Sequence, residues 1–430
     1  MKIGFVSLGC CKNLVDSENI MGVLQENGHQ IVGDPKQADA IVVNTCGFIE
    51  SAKEESIQTI FKMSQYTDKL IVTGCLAQRY EQELKEQIPE IKAVIPIKDY
   101  GNLAARLQEV LHDEGKGAFL KSERPLSGNP WSGYVKISDG CSNHCTYCAI
   151  PLIRGDQVSK PIEDVVEEVE HLSKLGVKEV TLIAQDTTKY GLDLYGKLML
   201  PELLKKVDAI EGIHWIRILY MYPDEIEPAV LDVMENSNKI LPYFDIPMQH
   251  ANNALLKKMN RRGTKEDVID LVKEIRSRFP EATLRTTAIV GFPQESDADF
   301  EELIDFIQEI KWDRFGAFTY SKEEDTPAYS LEGEIEPEVA KARLDRLMAV
   351  QKEISLKKNK AKIGKRIEVL VEEKEALKKQ YRGRSKADAP DEVDGQVIFT
   401  SPKEIALGEF VTVLITDAAA YDLFGEQVIE

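Results

Sequence analysis

Residues Ser138 to Gly155 read SDGCSNHCTYCAIPLIRG, and Cys141, Cys145 and Cys148 stand in them with the spacing C-x3-C-x2-C. Three thiolates on one short loop can each hold a different iron of a 4Fe-4S cube, which ordinarily takes four cysteines. One iron is left for a substrate or cofactor. The competing reading is zinc, because His144 lies inside the loop and would complete a Cys3His set. Zinc sites, however, usually draw their ligands from two separated pairs.

Upstream of this loop a strand and helix pattern repeats. KIGFVSLG (2–9) ends at Cys10, AIVVN (40–44) is followed by Cys46, and KLIVT (69–73) is followed by Gly74 and Cys75. Helical spacing is read over Ser17 to Glu26, Ala52 to Met63 and Glu81 to Gln87. Short Val/Ile strands alternating with helices predict a doubly wound parallel sheet, whose ligands bind beyond the carboxyl ends of the strands. Cys10, Cys46 and Cys75 all fall at that edge, a second trio with a second open position. Cys11 is left over; on a still extended backbone its side chain points away from that of Cys10, so it is read as a non-ligand.

Downstream, after a Gly/Pro/Ser-rich linker read from His112 to Tyr134, a second alternating series begins. Strands are expected at Tyr134 to Ser138, Glu179 to Ala184, Trp215 to Tyr220, Tyr243 to Pro247, Leu284 to Val290 and Phe315 to Tyr320. Helices such as Pro161 to Leu175 lie between them. Six strand and helix units predict a (β/α)6 partial barrel with its chemistry at the carboxyl ends of the strands. The cysteine loop follows the first strand, Gln185 and Asp186 the second, Gln249 and His250 the fourth, and Gly291, Phe292 and Pro293 the fifth. Most of these are ordinary loop residues on such a reading; Gly291 is the stronger candidate, since a close backbone approach favours glycine.

A charged helix over Pro337 to Ala361 closes this region, and short strands follow: IEVLVEE, QYRGRS, GQVIFT, FVTVLIT and QVIE. Five strands in so few residues predict a small antiparallel β-barrel of oligonucleotide-binding type. Residues 366–430 carry eight Lys plus Arg against fourteen Asp plus Glu, a sign opposite to that expected of a surface for phosphate backbones.

The whole chain of 430 residues has a net charge of −19, which favours a basic partner over a polyanion. Its length implies two or three domains. Seven cysteines, six of them in two groups of three, argue for metal over a disulfide framework. No apolar run approaches a membrane span and the first residues lead into a strand, so a cytoplasmic protein is expected. No triad or carboxylate dyad for acid-base work stands out.

The cysteine loop resembles that of the radical S-adenosylmethionine (SAM) superfamily. There the open iron chelates the amino and carboxylate groups of SAM, and an electron from the cluster breaks the sulfonium to give a 5'-deoxyadenosyl radical. Tyr147 matches the superfamily's aromatic position near the adenine, and Gln185 and Gly291 become candidate SAM contacts. Two trios followed by a small barrel resemble the methylthiotransferases over essentially the whole chain. The resemblance implies an N-terminal domain at 1–116, a radical SAM core at 127–357 and a TRAM domain at 360–430. SLGCCKNLVDSE (7–18), YFDIPMQH (243–250), MNRRGT (259–264) and IVGFPQE (289–295) are similar to the branch that modifies an aspartate of the twelfth small-subunit ribosomal protein. Proline commonly stands there where this chain has Cys11.

That likeness implies two 4Fe-4S clusters, one on Cys10, Cys46 and Cys75 and one on Cys141, Cys145 and Cys148. It also implies SAM as both methyl donor and radical source, external sulfur and electron donors, and a monomer acting on a basic ribosomal protein. The nearest alternative, a transfer RNA methylthiotransferase, shares all six cysteines but suits the acidic charge less well. The two trios must also lie close enough to share a reaction before solvent intervenes.

Overall fold

The computed structural model describes residues 1–111, 124–375, 379–390 and 394–429. The chain forms two compact units. One comprises residues 1–127, 138–158 and 321–329, and the other 128–137, 159–320 and 330–430. The cysteine loop therefore takes its contacts with the N-terminal sheet, although the first barrel strand precedes it in sequence.

The first unit is built on a five-stranded parallel sheet of strands β1 (Lys2–Ser7), β2 (Gln30–Val32), β3 (Ala40–Thr45), β4 (Leu70–Gly74) and β5 (Ile91–Pro96), in the order β2-β1-β3-β4-β5. The predicted doubly wound sheet is present, with β2 and β5 added at its edges. Alternation in β3 sends Ala40 and Val42 to a core with Ile20, Leu24 and Leu107, and Ile41 and Val43 to a core with Ile60 and Leu76 on the other face. Each such buried Val, Ile or Leu contributes roughly 1.5–3 kcal/mol, so the sheet is a rigid platform for its carboxyl edge.

Three helices carry the return connections near that edge: α1 (Cys11–Glu26), α2 (Glu50–Met63) and the short α3 (Cys75–Arg79). The sequence expectation started α1 at Ser17; it starts six residues earlier. Lys12, Asn13, Asp16, Ser17 and Glu18 are all buried there, so the first turns show no apolar stripe to read. The linker expectation also changes. Residues 112–123 lie outside the described ones, but Arg124 is buried with its Nη1 2.8 Å from Glu18, and the Ser127 N–H donates to the same carboxylate at 2.9 Å.

The second unit contains six strands in two all-parallel sets: β6 (Ser132–Lys136), β7 (Glu179–Ile183) and β8 (Trp215–Ile218), then β9 (Tyr243–Asp245), β10 (Thr283–Val290) and β11 (Arg314–Thr319). An isolated parallel bridge, Ile216 to Ile240, follows β8. These are the six strands of the expected partial barrel. Helix Pro337–Lys360 packs on β11 and leads into a closed five-stranded barrel. That barrel consists of Arg366–Glu375, Gln380–Ser385, Val397–Thr400, Phe410–Ala418 and Leu423–Gln427. The last strand lies earlier than the expected QVIE, and Gly425 sits mid-strand where a Cβ would come within 2.4 Å of the Leu414 carbonyl oxygen. Closure also uses one parallel pair, Val397–Thr400 beside Leu423–Gln427. Among the described residues no helix is long and apolar enough to cross a membrane.

Candidate active site

In the first unit the register sets Ser7 beside Asn44 and Asn44 beside Thr73, so β1, β3 and β4 end level. Cys10 is the N-cap of α1, Cys46 follows β3 directly, and Cys75 opens α3. The three predicted cysteines share that edge, where Cys10 and Cys46 both act electrostatically on Cys75, although among the described residues no three such side chains are set to hold a single metal ion. Gly9 has φ +88°, and a Cβ on it would sit 3.0 Å from the Cys46 Sγ. Only glycine allows the chain before Cys10 to turn so near the second thiol. The Cys46 backbone is clamped by Ser56 of α2, whose Oγ accepts from Cys46 N–H at 3.0 Å and donates to Cys46 O at 2.8 Å.

Burial pushes the Cys75 thiol up to about 12, against the pull of Arg154, and raises that of Cys46 as well. Thiols so placed bind metal with release of a proton that water alone would not take. Cys11, whose reading assumed an extended backbone, is the first residue of α1. The extended state ends at Cys10, with ψ 171°.

The second trio lies on the loop that precedes the short helix α4 (Ile150–Arg154). Cys145 is buried, Cys141 and Cys148 are partly so, and Cys148 N–H donates to the Cys145 carbonyl at 3.0 Å, closing a tight backbone turn between the two residues. Cys141 N–H donates to the Gly155 carbonyl at 3.0 Å and pins the loop's two ends. His144, the residue a Cys3His site needs, is 60% exposed with Nε2 3.2 Å from Asp156. Tyr147 is half-buried between the last two cysteines. The two trios are neighbours: Cys75 forms one apolar cluster with Ala149, the residue after Cys148, and with Ile153.

Sequence reasoning missed Asn13, Asp16 and Arg154. Asn13 Nδ2 donates to Leu8 O at 3.1 Å and Thr45 O at 2.9 Å, while its Oδ1 lies 3.4 Å from the Cys75 Sγ. The available signal was the polar run after Cys10 together with the RG that ends the loop.

In the second unit Gln185 follows β7, and its Oε1 is buried with no hydrogen-bond partner among the described residues. Asp186 instead closes its own turn, accepting from Thr188 N–H at 3.0 Å and from the Thr188 hydroxyl at 2.5 Å. Gln249, with φ +75°, bridges to Ala288, and His250 is buried with its Nδ1 accepting from Asn252 N–H. Gly291 has φ +75°, and a Cβ there would lie 2.6 Å from that of Ala340; its N–H is given to Glu295 at 2.6 Å. The close approach that needs glycine is thus by the helix Pro337–Lys360.

Three family models match: Uncharacterized protein family UPF0004 over residues 2–96, the Radical SAM superfamily over 135–307 and the TRAM domain over 363–428. Among solved structures, the radical S-adenosylmethionine methyltransferase TsrM from Kitasatospora setae aligns with a TM-score of 0.56 at 14% identity, covering 76% of each chain. The cobalamin-dependent S-adenosylmethionine radical enzyme OxsB aligns at 0.53 and 13%, covering 82% of this chain and 56% of that one. These likenesses concern the fold. Fold and cysteine loop together define a radical SAM protein that carries a TRAM barrel.

The curated relatives are more specific. Ribosomal protein uS12 methylthiotransferase RimO of Clostridioides difficile (strain 630) is 48% identical over 100% of this chain and 99% of its own length, and RimO of Desulforamulus reducens is 47% identical over 99% of each. The chain belongs to the RimO family of methylthiotransferases.

Proposed function

We propose that this chain methylthiolates the β-carbon of an aspartate in ribosomal protein uS12, with one 4Fe-4S cluster on Cys10, Cys46 and Cys75 and a second on Cys141, Cys145 and Cys148. We assign its domains as 1–116, 127–357 and 360–430, and its setting as a cytoplasmic monomer served by external sulfur and electron donors. The observation that carries this reading is the apolar cluster that Cys75 shares with Ala149, the residue after Cys148, and with Ile153, which supports two adjacent centres.

The residues fit the groups proposed. Each trio offers three thiols, the donor set of a cube with one open iron. Gln185 Oε1 is a buried acceptor with no donor among the described residues, which suits an N–H or O–H of SAM. When bound, SAM would supply the methyl group and the radical, and the clusters would pass on the electron and the sulfur that the external donors provide.

The chain's own part is to hold. Ser56 and Gly9 fix the place of Cys46, and the turn from Cys145 to Cys148 fixes the second trio. Cys46, Cys75, Cys145 and Ala149 are buried, Cys141 and Cys148 partly so, and Cys10 is exposed. Glu323 and Glu324 hold the segment 321–329 to Arg79 and Tyr80 at 2.6 and 3.0 Å, and Ala328 N–H donates to the Thr146 carbonyl, so the cysteine loop is braced from a third stretch of chain.

Anaerobic reconstitution should yield about eight irons per chain, four for each cube; stoichiometric zinc would defeat the reading. Mass spectrometry after incubation with uS12 and with tRNA should find methylthio-aspartate in the protein, and methylthio-adenosine in the RNA would move the assignment to the other branch. Cys145→Ala should abolish SAM cleavage, whereas Cys46→Ala should keep it and lose methylthiolation. Equal loss of SAM cleavage and methylthiolation in the Cys46→Ala protein, with the second cluster full, would refute the division of labour.

A further inference from the structure

Arg154 ends α4 with its side chain 1% exposed. Its Nη1 donates to both carboxylate oxygens of Asp139 at 3.0 Å. Its Nη2 lies 2.7 Å from Asn13 Oδ1, 2.8 Å from Asp16 Oδ2 and 3.7 Å from the Cys75 Sγ. An arginine used only to fasten a loop would be complete with two carboxylates. This one is carried by the loop of one trio and aimed at a sulfur of the other.

The Cys75 thiol itself has Asn13 Oδ1 as acceptor at 3.4 Å. Metal binding removes the thiol proton and with it that bond. Oδ1 then remains with Nη2, and the sulfur is left facing a guanidinium that stays charged at any working pH. A cation and N–H donor held against a ligand sulfur stabilises the reduced, more negative form of an iron–sulfur cluster.

We propose that Arg154 is a positioning residue that orients the Cys75 sulfur and raises the reduction potential of the cluster held by Cys10, Cys46 and Cys75, so that the loop of one centre sets the redox poise of the other. This rests on the ligand assignment proposed above. Asp16, which is 4% exposed, is its counterweight: it fixes the guanidinium and subtracts from its field.

The test uses the full chain with Cys141, Cys145 and Cys148 all changed to Ala, so that any iron belongs to the first trio. The reduced-to-oxidised ratio is read by electron paramagnetic resonance at the parent's midpoint potential. Arg154→Gln should lower that ratio at least tenfold, Arg154→Lys should stay within about threefold of the parent, and Asp16→Asn should raise it. Opposite signs for the two neutral variants are what a merely structural latch does not produce. Equal ratios in Gln and Lys variants, or an Asp16→Asn shift in the same direction as Arg154→Gln, overturn the proposal. If Arg154→Gln takes up no iron, the Asp16→Asn shift decides alone: upward supports it and anything else rejects it. A parent that binds no iron overturns the ligand assignment and the inference together, whereas a filled cluster with unmoved potentials overturns only the inference.

Discussion

Each unit buries an arginine among carboxylates, and the two arginines differ in what completes their shell. Arg384, from the terminal barrel, is 4% exposed and lies 2.6 Å from Glu179 and 2.8 Å from Glu372; it also donates to Ser132 Oγ and to the Asp388 carbonyl. Glu179 in turn takes the Nε of Arg217 at 2.8 Å. All of this gathers at the first residues of the core strands: Glu179 opens β7, and at the start of β9 and β11 Tyr243 and Arg314 bind Asp394 and Asp388. That end of a parallel barrel serves stability, the opposite one chemistry. Arg384 spends its donors on oxygens, Arg154 points one at a sulfur.

The contrast is tested most severely by removing the saturated arginine. Arg384→Ala leaves the buried Glu179 and the partly buried Glu372 with one cation fewer, and breaking such a network from one side costs about 3–5 kcal/mol. Denaturant midpoints of the reconstituted protein should fall accordingly, while iron per chain stays that of the parent. Loss of iron with little loss of stability would erase the distinction between the two regions.

The same contrast explains what could be read in the sequence. Strand ends followed by cysteine were legible because β3 and β4 are apolar on both faces and stop abruptly at Cys46 and Gly74. The cysteine loop was legible because its spacing is local. The first turns of α1 were not, since Asn13, Asp16 and Glu18 buried against Arg154, Cys75 and Arg124 have the pattern of a solvated face. Arg124 looked like linker for the same reason. Edge strand Gln30–Val32 is only three residues long, too short for a period to register. Gly291 announced a close approach, expected from SAM, and the structure places Ala340 there.

A third way to bury a titratable group is to keep it neutral, and His250 sharpens the comparison with a smaller effect. Its side chain is fully buried, with Nδ1 accepting from Asn252 N–H and Nε2 3.9 Å from Glu295. Burial pushes its pKa down from 6.5 to about 4; Asp299 and Glu302 pull it up and Arg343 adds to the fall. The unfolded chain therefore takes a proton below about pH 6.5 that the folded chain refuses until about pH 4, so stability is lost as pH falls through that window and levels beneath it. The full loss is about 3 kcal/mol. His250→Asn should flatten the dependence of the urea midpoint on pH across this interval. Glu179, held low by Arg384 and Arg217 despite burial, is lowered from 4.5 and contributes its own acid loss only beneath that value. The Arg384→Ala protein should therefore keep the His250 slope while starting from a lower stability. If its slope between pH 6.5 and 4.5 vanished too, the charged network and the neutral histidine would be one coupled system, and the second unit would be no better a static reference for Arg154 than the first.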